Sequence, residues 1–248
     1  MNNLWRLPPD EYKGLPIRCA PNTHAVALSL LTTNISVRER VLDLAAGSGA
    51  WLSRLNDAGF DHFTAVELDT KRFEFKQVTP QPLDLNSDFS QKLDSSNFNL
   101  ITALEIIEHL DCPRNFLRTI HQLLANDGYL LVTTPNIGHW SGRLRFLASA
   151  EHRYFKESDY YQQRHITAIT DLHMKLMFRE IGYELVAYQT GGSFFGLFKK
   201  ILVLPMSFFF KAFLGSHTDG DCCIYLVKKT KPDLSLQGST SFYFQSDT

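Results

Sequence analysis

Two rhythms of hydrophobic and polar positions alternate along the first two thirds of the chain. Short, mostly apolar runs at 40–45 (RVLDLA), 62–68 (HFTAVEL), 98–104 (FNLITAL) and 129–134 (YLLVTT) read as buried parallel strands. Between them, WLSRLNDAG and 114–125 carry apolar residues at helical spacing, the first stopping at Gly59 and the second before an NDG turn. A helix over 23–31 precedes the first strand. A helix over 170–181, ending at Gly182, feeds a strand at 183–189, and CCIYLVKK at 222–229 supplies the last. Strand and helix in alternation predict a mostly parallel sheet with helices on both faces. Beyond Asn136 the rhythm breaks into a basic, aromatic stretch at 137–165, expected to lie over the ligand-bearing end of the sheet.

Composition narrows the classes. With 44% hydrophobic and 21% charged residues the chain has core material and no disordered signature. A formal net charge of -1 gives no global field for a polyanion, so nucleic acid is a disfavoured partner. Cys19, Cys112, Cys222 and Cys223 have neither disulfide-framework nor zinc spacing and read as reduced thiols. The N-terminal residues lack a secretory pattern, which sets a cytoplasmic expectation.

Candidate chemistry sits where strands end. DLAAGSG, from Asp43 to Gly49, turns the first strand into a helix with small residues that admit a ligand close to the backbone. A dinucleotide fingerprint would need a third glycine at the position of Leu52. Glu67 closes the second strand, where a carboxylate can accept from both hydroxyls of a ribose, and Asp84 follows in PLDLN. After the third strand-like run, E-I-I-E-H spaces Glu105, Glu108 and His109 to share one face of a first helical turn, where two carboxylates and an imidazole could meet one divalent cation. The same acids also suit a helix N-terminus for its dipole alone, and the histidine could serve as a base or a cap.

Together, VLDLAAGSGAWLSRL, VELD, LDLN, FNLITALEIIEHL and LLANDGYLLVTTPN resemble the successive motifs of class I S-adenosylmethionine-dependent methyltransferases, over about residues 23–191. Alanine stands at Ala45 where that family usually has its first motif glycine. ALEIIEHL, TTPN, RLRFL and RHITAIT resemble most the ubiquinone-biosynthesis O-methyltransferases and the methyltransferases of bacterial surface-glycan clusters; His24 matches a histidine of the latter only in part. The resemblance implies a single Rossmann-like, doubly wound α/β domain over 1–232, with a seven-stranded, mostly parallel sheet, an insertion after strand five, and a flexible tail at 233–248. It implies that Asp43, Ala45, Gly47 and Gly49 surround the methionine and ribose of S-adenosylmethionine, that Glu67 holds the ribose diol, and that Asp84 and Leu85 border the adenine, with Leu104 also at the cofactor. In metal-dependent relatives, which include RNA 3′-end 2′-O-methyltransferases, a later histidine completes the ligand set. His165 is the candidate here, giving Glu105, Glu108, His109 and His165 around Mg²⁺, Mn²⁺ or Zn²⁺, with His109, His165 and Glu108 as catalytic groups.

The implied reaction is O-methylation of a small-molecule, sugar or lipid-linked acceptor. Methylation of RNA ends, or cofactor binding without turnover, are the alternatives. Arg143, Arg145, Arg153, Lys156 and Arg164, interleaved with Trp140, Phe146, Tyr154, Phe155, Tyr160 and Tyr161, are expected either to clamp phosphates and stack on rings or to form a solvated face. The segment 194–214 holds seven of the 19 phenylalanines, too many for a routine loop. It is read as a buried cap or homodimer surface, or as a peripheral contact with the inner face of a membrane.

Overall fold

A computed structural model describes residues 11–93, 97–192, 205, 208–213, 215 and 218–233. Its six-stranded sheet runs β4-β3-β5-β6-β8-β7, built from β3 (Val41–Leu44), β4 (Phe63–Val66), β5 (Phe98–Ala103), β6 (Leu124–Pro135), β7 (Tyr183–Gly191) and β8 (Cys222–Lys229). Strands β3 to β6 are parallel, and β8 is antiparallel to both of its neighbours. A small antiparallel hairpin, β1 (Glu11–Tyr12) and β2 (Leu15–Pro16), precedes them.

Each face of the sheet buries its own apolar layer. On one, α1 (Thr23–Asn34) and α2 (Ala50–Asp57) bring Ala27, Leu31, Trp51, Leu52 and Leu55 onto Val41, Leu100 and Leu131. On the other, α3 (Pro113–Leu123) and α6 (Asp171–Ile181) bring Phe116, Leu117, Ile120, Met174 and Phe178 onto Leu42, Ile101, Leu130 and Tyr225. Buried on both sides, the central strands are apolar at nearly every position, which is why their sequence reads as runs rather than alternation.

Two expectations need correction. The sheet has six strands, not seven, among the described residues. Where a third strand would follow β4, the chain makes a single parallel bridge between Val66 and Gln81, carried by Gln81 N–H to the Ala65 carbonyl (2.8 Å) and Glu67 N–H to the Gln81 carbonyl (3.1 Å). Pro80 and Pro82 flank it and have no N–H to extend the ladder. The insertion therefore follows the fourth strand of the sheet, β6.

E-I-I-E-H does not open a helix either. Pro113 sets the start of α3 at its own position, because its ring would collide with the carbonyl four residues earlier and holds Cys112 out of helical geometry (φ -133°, ψ 80°). Residues 105–111 are thus left to a connection, in which Glu105 is left-handed (φ 50°) and Ile107–His109 forms one tight 3₁₀ turn.

The insertion contains α4 (Trp140–Ser149) and α5 (Glu157–Gln163). Arg153 anchors it to the start of β8 through an ion pair of 2.8 Å with Asp221, which is buried. Of the phenylalanine-rich segment, 193–204 lies outside the described residues; Phe210 stacks on Trp140, and Phe208, Phe209 and Phe213 are exposed. The tail from 234 also lies outside them. No helix among the described residues is long and apolar enough to cross a membrane.

Candidate active site

The strand order reverses beside β3, and there a cavity of about 890 Å³ opens beyond the carboxyl ends of the strands, the place where open α/β sheets hold ligands. Asp43 from β3, Glu67 after β4 and Leu104 after β5 line it together with Ala45 and Gly47 of the connecting loop. Residues 16–21 close one side. They are held there because the Ser48 hydroxyl donates to the Pro16 carbonyl (2.7 Å), and because Tyr12 and Lys13 of the hairpin bond Asp57 of α2.

The loop conformation explains its small residues. Gly49 has φ 83°, and a Cβ there would fall 2.4 Å from the Cβ of Phe75. Gly47, at φ 59°, has open space where a side chain would project, and its N–H donates to a Glu67 oxygen (2.7 Å). The other Glu67 oxygen accepts from Asp69 N–H (3.1 Å), so the carboxylate is fixed at the cavity wall with lone pairs to spare. Ala45 is also left-handed (φ 60°), so this chain carries a Cβ in the conformation that favours glycine.

Asp43 is buried. One oxygen accepts from Thr102 Oγ1 (2.6 Å) and Oδ2 has no partner. Burial raises its pKa to about 7, against the lowering effect of Thr102 and with a small further rise from Glu67. An orphaned carboxylate oxygen at the wall of a cavity whose other acid is set for a diol is a feature a cationic amino-acid moiety would satisfy. The donor set therefore fits S-adenosylmethionine. Gly49, Asp84 and Leu85 are not among the lining residues. Asp84 is exposed and closes a local turn, accepting from Asn86 N–H (2.9 Å) and, through its carbonyl, from the Ser87 hydroxyl (2.6 Å).

The far end of the cavity is lined by Glu105, His109, Tyr154, Gln162, Gln163, His165 and Asp221. The insertion supplies Tyr154, Gln162, Gln163 and His165. None of Arg143, Arg145, Arg153, Lys156 and Arg164 lines the cavity. The four expected metal ligands are not all brought together. One ligand atom each from Glu108, His109 and His165 lie within 4.8 Å of one another, and Glu105 is outside this group. Instead Glu105 Oε1 accepts from the Thr133 hydroxyl (2.9 Å) and the Cys222 thiol (3.0 Å), a direction set by its left-handed backbone.

Glu108 is wholly buried and neither carboxylate oxygen has a hydrogen-bond partner, although the Thr134 hydroxyl is near enough to favour its charged form slightly. Burial first, and Glu105 second, push its pKa well above the usual carboxylate range. His109 and His165 meet edge to face with ring centroids 4.8 Å apart. Each is tied by Nδ1 to a backbone carbonyl, His109 to Arg164 (3.2 Å) and His165 to Tyr154 (2.7 Å), which makes Nδ1 the protonated nitrogen and turns Nε2 to other partners. Burial lowers both pKa values, and His165 facing His109 is a second cause of lowering there.

Sequence reasoning passed over Trp51 and Asp221 and gave His24 little weight. All three line the cavity. Trp51 lies in the first turn of α2, just after the glycines, and was legible as core; nothing around Asp221 marks it, because its place depends on β8 returning beside β6.

Fold and site together define an α/β enzyme that holds a nucleoside at its sheet's switch point. Residues 17–188 match a family model described as a methyltransferase domain, and the chain belongs to that family. It is an S-adenosylmethionine-dependent methyltransferase. A comparison with curated proteins found no match. Similar solved structures include a SAM-dependent methyltransferase from Archaeoglobus fulgidus (13% identity, TM-score 0.60, covering 83% of this chain and 92% of that one). Another is an S-adenosylmethionine-dependent methyltransferase from Mesorhizobium loti (12% identity, TM-score 0.52, 81% and 96%). A third is a SAM-dependent methyltransferase from Thermotoga maritima described as a possible histamine N-methyltransferase (13% identity, TM-score 0.55, 85% and 90%). At these identities the likeness speaks for the fold.

Proposed function

We propose that this methyltransferase transfers its methyl group to a hydroxyl oxygen of a polyhydroxylated small molecule such as a sugar, free or carried on a larger lipid-linked acceptor. The observation that supports this most is the pair of neutral imidazoles, His109 and His165, on the cavity's far wall, with Nδ1 anchored and Nε2 turned away. A hydroxyl has to lose its proton as it is methylated, and a neutral imidazole beside it accepts that proton. Around them, Gln162, Gln163, Tyr154 and Glu105 offer hydrogen bonds to further hydroxyls.

S-adenosylmethionine supplies an electrophilic methyl on a sulfonium. Glu67 and Asp43 would hold the cofactor against the sheet, and the wall of His109 and His165 would orient the acceptor hydroxyl beside it. The part left to the chain's own residues is to hold the acceptor hydroxyl and to take up its proton, which would pass to an imidazole Nε2. Alignment of the two reactants provides most of the acceleration.

A second reading adds a divalent cation to the same wall. The buried Glu108, whose oxygens have no hydrogen-bond partner and whose Oε1 lies 3.8 Å from His109 Nε2, favours it, because such a carboxylate needs a proton or a cation nearby. Glu108, His109 and His165 would hold the ion, which would lower the pKa of the acceptor hydroxyl. Incubation with methyl-¹³C-labelled S-adenosylmethionine and a panel of sugars, nucleotide sugars and catechols tests both readings. A methyl-ether carbon signal is the expected result and a methylamine signal would contradict it. Loss of the signal in EDTA, restored by Mg²⁺, Mn²⁺ or Zn²⁺ in the native chain but not in E108Q, separates the metal-assisted route from the histidine route.

A further inference from the structure

Large apolar side chains stand uncovered where α4 meets the helical residues 208–213. Phe210 stacks on Trp140 of α4 with ring centroids 5.9 Å apart, which joins the two elements. Beside that stack Phe208, Phe209 and Phe213 are exposed, Phe208 and Phe213 to 73%, and the rings of Phe209 and Phe213 lie 4.7 Å apart. On α4, Leu144 and Leu147 follow Trp140 by one and two turns on the same helix face and emerge into solvent, Leu147 to 82%. A single exposed leucine is ordinary on a protein surface. A group of phenylalanines and leucines beside one aromatic stack is a patch, and patches of this kind mark contact surfaces.

The charge around the patch argues for one occupant. From 194 to 214 the sequence has three lysines and no aspartate or glutamate, and α4 has two arginines and again no acid, although the chain as a whole carries a net charge of -1. Lys211 stands exposed among the exposed rings, and Arg145 of α4 is exposed beside its ion-pair partner Glu151. A second copy of the chain docking through the same face would set Lys211 and the α4 arginines against their own counterparts. An anionic lipid surface takes phenyl rings and leucines into its acyl boundary while lysine and arginine stems extend to its headgroups. We propose that the face formed by α4 and residues 208–213 is a peripheral docking surface for an anionic lipid bilayer. The chain ties this face to the far end of the cavity: Trp140 opens the insertion that supplies Tyr154 and His165, and Asp221, shortly after Phe213, lines the cavity as well. Docking here is independent of which acceptor atom is methylated, so vesicle binding and the methyl-ether assay can fail separately.

Co-sedimentation of the full chain with phosphatidylcholine vesicles, with and without phosphatidylglycerol, tests the assignment. The native chain should partition onto the anionic vesicles at least about tenfold more strongly than onto the neutral ones, and high salt should remove most of that difference. F209S combined with F213S should lower partitioning onto anionic vesicles by about tenfold or more, through lost apolar burial. K211A should lower it by about fivefold there and stay within about twofold of native on neutral vesicles. L172S, at a comparably exposed apolar position of α6, should leave it unchanged. Because all these side chains are exposed, melting temperature and S-adenosylhomocysteine affinity should stay native in each variant. No sedimentation of the native chain with either vesicle would overturn the proposal, as would equal binding to both or an equal loss in L172S. If ultracentrifugation instead shows a dimer that F209S with F213S dissociates, and no vesicle binding, the face joins two copies and the proposal fails. Should the double variant not fold, K211A and the salt series decide.

Discussion

Asp43 and His24 face the same cavity with opposite electrostatic costs. The Asp43 pKa, raised to about 7 from its ordinary 3.8, means the folded chain holds that proton more tightly than the unfolded one. Its contribution to stability therefore declines as pH rises from about 4 to 7, and the full penalty is present above 7. D43N, uncharged throughout, should be more stable than the native chain at pH 8, on the order of 3 kcal/mol at most, and should converge with it near pH 4. Chemical denaturation at the two pH values checks this; equal differences at both would contradict it. His24 acts in the other direction, being lowered from 6.5 to about 3, so stability is lost as pH falls through that window and the acid limb should flatten in H24F. Ala45 gives a third residue-scale prediction. Its left-handed backbone strains an L side chain, so A45G should raise stability by about 1 kcal/mol or slightly less, after the added chain entropy of glycine.

Among the elements, the insertion is tied to the sheet by a buried ion pair whose removal has a large expected effect. R153M leaves the buried Asp221 carboxylate without its guanidinium and should cost about 3 kcal/mol or more. Proteolysis should then begin within 137–165, since this pair holds Tyr154 and its neighbours against β8; a cleavage pattern like that of the native chain would contradict it. The elements were also the most legible level in the sequence. CCIYLVKK is β8 to the residue, and the strand ends that carry Asp43, Glu67 and Leu104 fall where their apolar runs predict, because strands buried on both faces leave no ambiguity of period. Two local chemistries overrode periodicity. The prolines around Gln81 reduced a strand to one bridge, and Pro113 converted an expected helical turn into a left-handed residue and a 3₁₀ turn, which swung Glu105 away from Glu108 and His109. Both were visible as letters, but their effect depended on which backbone donors the neighbouring strand needed. The convergence of His165 with His109 was anticipated only through family resemblance. His24, Trp51 and Asp221 meet through helix packing and strand return, which no local spacing encodes.

For the molecule as a whole, one cavity has two chemically distinct ends. The near end combines a carboxylate pinned by the loop's own N–H with an orphaned aspartate oxygen; the far end combines neutral imidazoles with amides and a tyrosine. That division matches a donor held rigidly by the sheet and an acceptor selected by the insertion, so cofactor affinity should be largely independent of substitutions at His109 and His165. Calorimetry on H109A and H165A should return S-adenosylhomocysteine affinities within about threefold of native, a difference of less than about 1 kcal/mol. The central claim, that Glu67 and the loop beside β3 grip the nucleoside, is tested most directly by titrating S-adenosylhomocysteine into the native chain and into E67A. The account predicts one binding site per chain in the native protein and an affinity at least about a hundredfold lower in E67A, from two lost charge-assisted hydrogen bonds. No heat in the native chain, or the same affinity in both, would contradict it.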